Sequence, residues 1–273
     1  MFKRYQINLE DIISITNEMA EIYAKIGEDL YTKFNTSYDG DIKEYLDSHQ
    51  ELSAEQIKND WFPQFNADVF ISHAHINEEQ ALILAGWLYK EFNIISFIDS
   101  KLWKYSENLL KKIDNAYTLN EDSKHYDYNK RNFSTAHVHV MLSSALIEMI
   151  DSSECLFFIN SKESLSLRDE LIKNTLSPWI YTELITSEFI RLNIPLRHQI
   201  RGGLESYLAE HYIKSISTED AGLKINYSLL SIMDKIPLLS KDQLNKWKSD
   251  NNSSEDSKKN LDNIYKISGA INE

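Results

Sequence analysis

The chain predicts an α/β fold in which a central parallel sheet is covered by helices on both faces. Three observations predict it. The runs 69–71, 94–98 and 156–159 are short and apolar, as buried parallel strands must be. Between them lie longer stretches whose apolar residues recur at three- and four-residue steps, the pattern of crossover helices. Each run also stops abruptly at polar residues: Ser72-His73, Asp99 and Asn160.

Taken in order, residues 9–30 read as a helix, with Ile12, Ile15, Met19, Ile22, Ile26 and Leu30 forming one stripe. Tyr38-Asp39-Gly40 is turn chemistry. A more polar helix follows over 41–60, with Asp41 and Ser53 as N-caps, and Trp61-Phe62-Pro63 ends it. Residues 1–63 thus read as a helical N-terminal module. Strand 69–71 leads to a helix over 78–92 carrying Ala81, Leu84, Ala85, Leu88 and Phe92 on one side. Strand 94–98 leads to a polar, tyrosine-rich insertion over 104–134, helical over 106–117 and loop beyond. A helix over 135–150, strand 156–159 and a helix from Ser177 to Leu192 continue the alternation. Ile194-Pro195-Leu196 reads as a fourth strand, Gly202-Gly203 as a break, 204–213 as a helix and 224–230 as an edge strand. Residues 249–260 offer nothing to bury and read as a mobile loop before a short helix over 261–267. The organisation expected is a main domain over 64–235 and a C-terminal extension over 236–273.

Composition narrows the function. Of 273 residues, 42% are hydrophobic and 11% aromatic, ordinary for a globular chain with a full core. A net charge of −13 argues against a nucleic-acid partner, because phosphate-backbone binding needs clustered cations. One cysteine, Cys155, excludes an internal disulfide and a cysteine-rich zinc site; its apolar surroundings predict a buried thiol. No unbroken apolar run reaches the ~18 residues of a membrane span, and no secretory signal is visible, so cytoplasmic residence without a membrane partner is expected. The seven glycines compose neither a dinucleotide fingerprint nor a P-loop.

Ligands of an open parallel sheet bind beyond the carboxyl ends of its strands. That rule selects residues 72–77, 99–103 and 160–163, and the first turns of the helices that follow. Trp179 and Glu183, four apart, share a helical face, with Glu183 about 9 Å along the axis from the cap Ser177. A carboxylate beside an indole near the crevice is suited to holding a ribose; a solvated Glu and a packed Trp are the ordinary alternative. Asp99 either caps the next segment or binds a ligand hydroxyl. His73-Ala74-His75 and His137-Val138-His139 suggest a metallohydrolase, but the second pair does not share a helical face and no carboxylate set stands at ligand spacing. No metal is expected.

Asp68-Val69-Phe70-Ile71-Ser72-His73-Ala74, and Trp179-Ile180-Tyr181-Thr182-Glu183 later in the chain, together resemble the Toll/interleukin-1 receptor (TIR) domain in its bacterial NAD-cleaving form. The likeness covers about residues 66–200, to 235 at its widest. It implies a flavodoxin-like fold, with residues 100–106 as the mobile loop after the second strand. It also implies cleavage of the nicotinamide–ribose bond of NAD+, the substrate rather than a cofactor. Glu183 falls on the family's catalytic glutamate, and Ser177 and Trp179 fall on its motif. Ser72, His73, Asp99 and Trp103 lie in loops that would line the substrate. The resemblance further implies self-association, a role in antiphage defence of the Thoeris type and a separate effector answering the product. A non-catalytic TIR assembly module is the alternative.

Overall fold

A computed structural model of the chain describes residues 1–34, 53–103, 106–119, 125–162, 164–165, 174–199, 226–250 and 256–271. Its first elements are β1 (Lys3–Asn8), α1 (Leu9–Thr16), α2 (Ala20–Phe34), α3 (Ala54–Trp61), β2 (Val69–Ser72), α4 (Glu78–Phe92), β3 (Ser96–Phe97), α5 (Asp99–Leu102) and α6 (Ser106–Tyr117). These are followed by α7 (Tyr128–Ser152), β4 (Cys155–Asn160), β5 (Asn174–Thr175), α8 (Pro178–Phe189), β6 (Tyr227–Ser228), α9 (Leu230–Met233), β7 (Leu238–Leu239), α10 (Lys241–Asp250) and α11 (Ser257–Ile267).

Five strands form one sheet in the order β3-β2-β4-β1-β7, and every junction is parallel. The predicted α/β class holds, and the arrangement is consistent with a flavodoxin-like fold. Counted from β2, the first three strands lie in the 2-1-3 order of that fold, while the next place is filled by β1. Strand residues alternate between two cores. Phe70, Leu156 and Phe158 face a core shared with α3, α7 and α8. Tyr5, Ile7, Val69, Ile71, Phe157 and Ile159 face a core shared with α1, α2, α4, α10 and α11. In that second core α2 and α4 meet across two glycines, Gly27 and Gly86, where the two backbones nearly touch.

The N-terminal segment departs from the purely helical module expected, because Lys3–Asn8 is a strand held between β4 and β7. Its alternating polar residues hid it, yet each is accommodated: Gln6, 6% exposed, donates from Nε2 to the carbonyls of Met233 (2.8 Å) and Ile236 (2.6 Å). The main sheet therefore takes strands from all three expected segments. Ile194-Pro195-Leu196 is not a strand but loop running into a 3-10 turn at Leu196–His198. Within 224–230, Tyr227–Ser228 pairs antiparallel with β5, outside the main sheet. The last residues of the expected loop 249–260 instead open α11 behind the Asp256 cap, and Asn260 is buried, donating to the Phe92 carbonyl and accepting from Trp247 Nε1 (2.8 Å).

Ser53 caps α3 as expected, accepting the Gln56 N–H at 3.2 Å. Asp41, Tyr38-Asp39-Gly40, Gly202-Gly203 and 204–213 lie outside the described residues. The helix expected from Thr135 begins seven residues earlier at Tyr128, behind the cap Asp127. Its 25 residues are long and apolar enough, by length and composition, to cross a bilayer. In this fold one side of α7 packs on the sheet through Val138, Met141, Ala145, Leu146 and Met149.

Candidate functional site

β2 is where the strand order reverses, with β3 on one side and β4 on the other. The crevice at such a switch point is the usual ligand position in open parallel sheets. β2 ends at Ser72, fully buried. β2 and β3 pair Val69 with Ser96 and Phe70 with Phe97, and Asp99 opens α5 two residues after β3 ends.

Glu183 completes the site from α8. Ser177 caps that helix, accepting the Ile180 N–H at 3.3 Å, with Pro178 at its start, the usual order of a helix N-terminus. Glu183 follows five residues after Pro178, 4% exposed, and its Oε2 accepts from Ser72 Oγ at 2.5 Å. Burial pushes this carboxyl well above the ordinary carboxylate range; the negative charge of Asp99 pushes it the same way, and the Ser72 hydrogen bond pulls partly back. A buried acid with a hydroxyl for a partner and a second carboxylate for a neighbour is a group poised to respond to an arriving positive charge.

His73, next along from Ser72, is held below its ordinary value by burial, with Asp99 acting in the opposite sense. Burial opposes ionisation of Glu78, but the Lys101 ammonium at 2.5 Å outweighs it and holds the carboxyl below the ordinary range. Asp99 Oδ1 accepts the Ser100 N–H at 2.7 Å, so part of this residue is spent organising its own helix.

Trp179 is half-buried on the same helix, and its ring meets His139 of α7 edge-on at 6.1 Å. That contact is possible because α7 overtops the sheet. Its 25 residues span roughly 37 Å, against roughly 20 Å for the six residues of β4. Residues on the overhang are exposed, among them Tyr128 (78%) and Phe133 (70%).

The structure thus brings together Ser72, His73, Asp99 and Glu183, with Trp179 four residues from Glu183 and Ser177 committed to capping. Trp103 it turns away. That indole is buried against Phe62 and Phe97, and its N–H is taken by the Pro63 carbonyl at 3.0 Å. Its apolar ring is worth more in the core than beside a polar crevice, so we assign it to packing.

Sequence reasoning did not single out the tie between the two loops flanking the crevice. Ser161 Oγ, after β4, donates to Asn77 Oδ1, before α4, at 2.7 Å, and Ser164 anchors the same turn to the Ile159 carbonyl at 3.1 Å. Both loops were selected by the strand-end rule, but polar residues at loop ends carry no mark of who their partners are. His75 is 77% exposed on its side chain, and His137 is exposed on α7. Among the described residues no group of three or more His, Cys, Asp or Glu side chains is arranged to hold a metal ion.

No family model, curated protein or solved structure matches the chain.

Proposed function

We propose that the chain is a TIR-type NAD+ glycohydrolase or cyclase, with Glu183 as its catalytic carboxylate. One observation carries this reading: the Glu183 carboxyl is buried at the switch point of the sheet and bonded to Ser72, rather than standing in solvent as helical glutamates usually do.

The chemistry asks little else of the protein. The bond between ribose C1′ and the nicotinamide nitrogen breaks with its electron pair going to nitrogen, which neutralises the pyridinium, so no acid need protonate the leaving group. Positive charge develops on the ribose, and an ionised, fixed carboxylate stabilises it. Water adding at C1′ and losing a proton to solvent gives ADP-ribose. A nucleophile from the same dinucleotide gives a cyclic product, which would act as a signal for a separate effector in antiphage defence. Trp179 and His139 supply aromatic edges at the rim of the site.

The test is incubation with NAD+ and mass spectrometry of the products. Nicotinamide should appear with wild-type protein and not with Glu183→Gln, whose fold is checked by circular dichroism; equal turnover in that variant rejects the assignment. The exposed Tyr128 and Phe133 on the α7 overhang favour a second reading, a non-catalytic assembly module. It predicts no turnover at any protein concentration.

A further inference from the structure

α7 is apolar on two faces, and the fold covers one of them. Val138, Met141, Ala145 and Met149 pack on the sheet side, yet less than half of the helix's apolar stretch is buried. On the opposite side Phe133, Val140 and Ile147 recur every seven residues, with the small Ala136 and Ser143 between them. This is the a and d spacing of a coiled-coil seam. Phe133 is 70% and Val140 63% exposed, Ala136 is exposed, and Ser143 and Ile147 are half-buried. From Phe133 to Ile147 the seam runs roughly 21 Å along the helix. The outer face of a surface helix is ordinarily polar, and a long apolar one marks an interaction site.

The charges of α7 identify the occupant. Its Lys and Arg residues, Lys130 and Arg131, lie near its start, and its acids, Glu148 and Asp151, lie in its last two turns. That order opposes the helix macrodipole, which favours acids at the N-terminus and bases at the C-terminus. We propose that two copies of this chain pair antiparallel through the Phe133–Val140–Ile147 face of α7, with the two-fold axis near Val140. The basic end of each helix then lies beside the acidic end of the other. Arg131 is held by Asp114 of α6 at 3.1 Å, so Lys130, which is exposed, is the base that meets the partner. Glu148 contacts Lys58 and Asp151 faces the N-terminal amine, but their side chains keep 41% and 43% exposure toward solvent. Size complementarity gives the same orientation. Antiparallel helices set each large residue of the seam against a small one of the other copy, whereas parallel helices would set Phe133 on Phe133 and leave the small residues facing each other. The pairing does not depend on what Glu183 does.

Sedimentation equilibrium of the full chain gives the dimer dissociation constant. Val140→Glu sets like charges together near the two-fold axis and should weaken dimerisation by about a hundredfold or more. Val140 is exposed in the single copy, so circular dichroism should be unchanged; Phe133→Glu serves if that variant fails to fold. Asp151→Lys should weaken the dimer several-fold, and adding Lys130→Glu should restore most of the loss. Orientation is read by pulsed electron spin resonance from nitroxides on Tyr128→Cys, since Cys155 is fully buried and stays unlabelled. Antiparallel pairing sets the labels roughly 30–40 Å apart, and parallel pairing about 10–15 Å apart. A wild type that is monomeric at the highest attainable concentration overturns the proposal, as does a dimer indifferent to Val140→Glu or a pair of labels close together. Binding of the monomer to phosphatidylcholine–phosphatidylglycerol vesicles, lost in Val140→Glu, also overturns it and assigns the face to a lipid surface.

Discussion

Ser72 and Glu183 are 111 residues apart in the chain and joined by a 2.5 Å hydrogen bond, the end of a buried strand to the second turn of a helix. The hydroxyl donates to the carboxylate, so it favours the ionised form. Ser72→Ala should therefore move the acid limb of nicotinamide release to higher pH and lower kcat/KM by roughly ten- to a hundredfold, the ~1.5–3 kcal/mol of one hydrogen bond to a charged group. A rate profile superimposable on wild type would show that the bond has no part in turnover.

The same carboxyl has a consequence for stability. Its folded pKa lies above the unfolded value, near 4.5, so between the two the folded state holds a proton that the unfolded state has lost. Stability from this group is present below about pH 4.5 and is lost as pH rises through the folded value. Glu183→Gln removes the loss. Thermal melts should show the variant more stable than wild type at pH 8 and the difference shrinking toward pH 4; the opposite ordering at pH 8 would mean the carboxylate is stabilised in the fold.

Two tryptophans that the sequence placed together in the site should separate cleanly. Trp103→Ala removes a buried ring wedged between Phe62 and Phe97 and should cost about 3–5 kcal/mol in denaturant unfolding. Trp179→Ala, at a half-buried rim position, should leave unfolding within about 1–2 kcal/mol of wild type and raise the KM for NAD+ instead. A Trp103 variant of native stability would return that residue to the site.

What was legible in the sequence follows the chemistry of burial. The central strands and α4 are continuous or strictly periodic in apolar residues, and α8 begins at an unmistakable Ser177-Pro178 signal. β1 was illegible because only Tyr5 and Ile7 are apolar, and the polar Gln6 is admitted by two carbonyls from a turn some 230 residues away. The start of α7 was illegible because its first turns overhang the sheet and bury little, so periodicity says nothing there. In the site, Glu183 and Ser72 were readable from strand ends and helix spacing. Their partnership and the position of Trp103 were not, since both depend on contacts between distant segments.

The glycines of α2 and α4 offer a test of the second core. By propensity alone Gly86→Ala should stabilise α4 by about 1 kcal/mol. A methyl on Gly86, however, would lie 1.9 Å from the Tyr23 carbonyl oxygen and 2.7 Å from its carbon, both backbone atoms that cannot swing aside. At Gly27 it would lie 2.6 Å from the Leu82 oxygen. The helices must then part, opening gaps around Tyr23, Leu82 and Ala85, all buried. Overpacking of this kind outweighs propensity, and Gly86→Ala should destabilise the fold by about 3 kcal/mol, with Gly27→Ala milder. Urea unfolding monitored by tryptophan fluorescence reads the difference, because Trp87 on α4 meets Trp247 of α10 at 5.7 Å. If Gly86→Ala proved more stable than wild type, α2 and α4 could not cross as closely as described, and the packing on that face of the sheet would have to be redrawn.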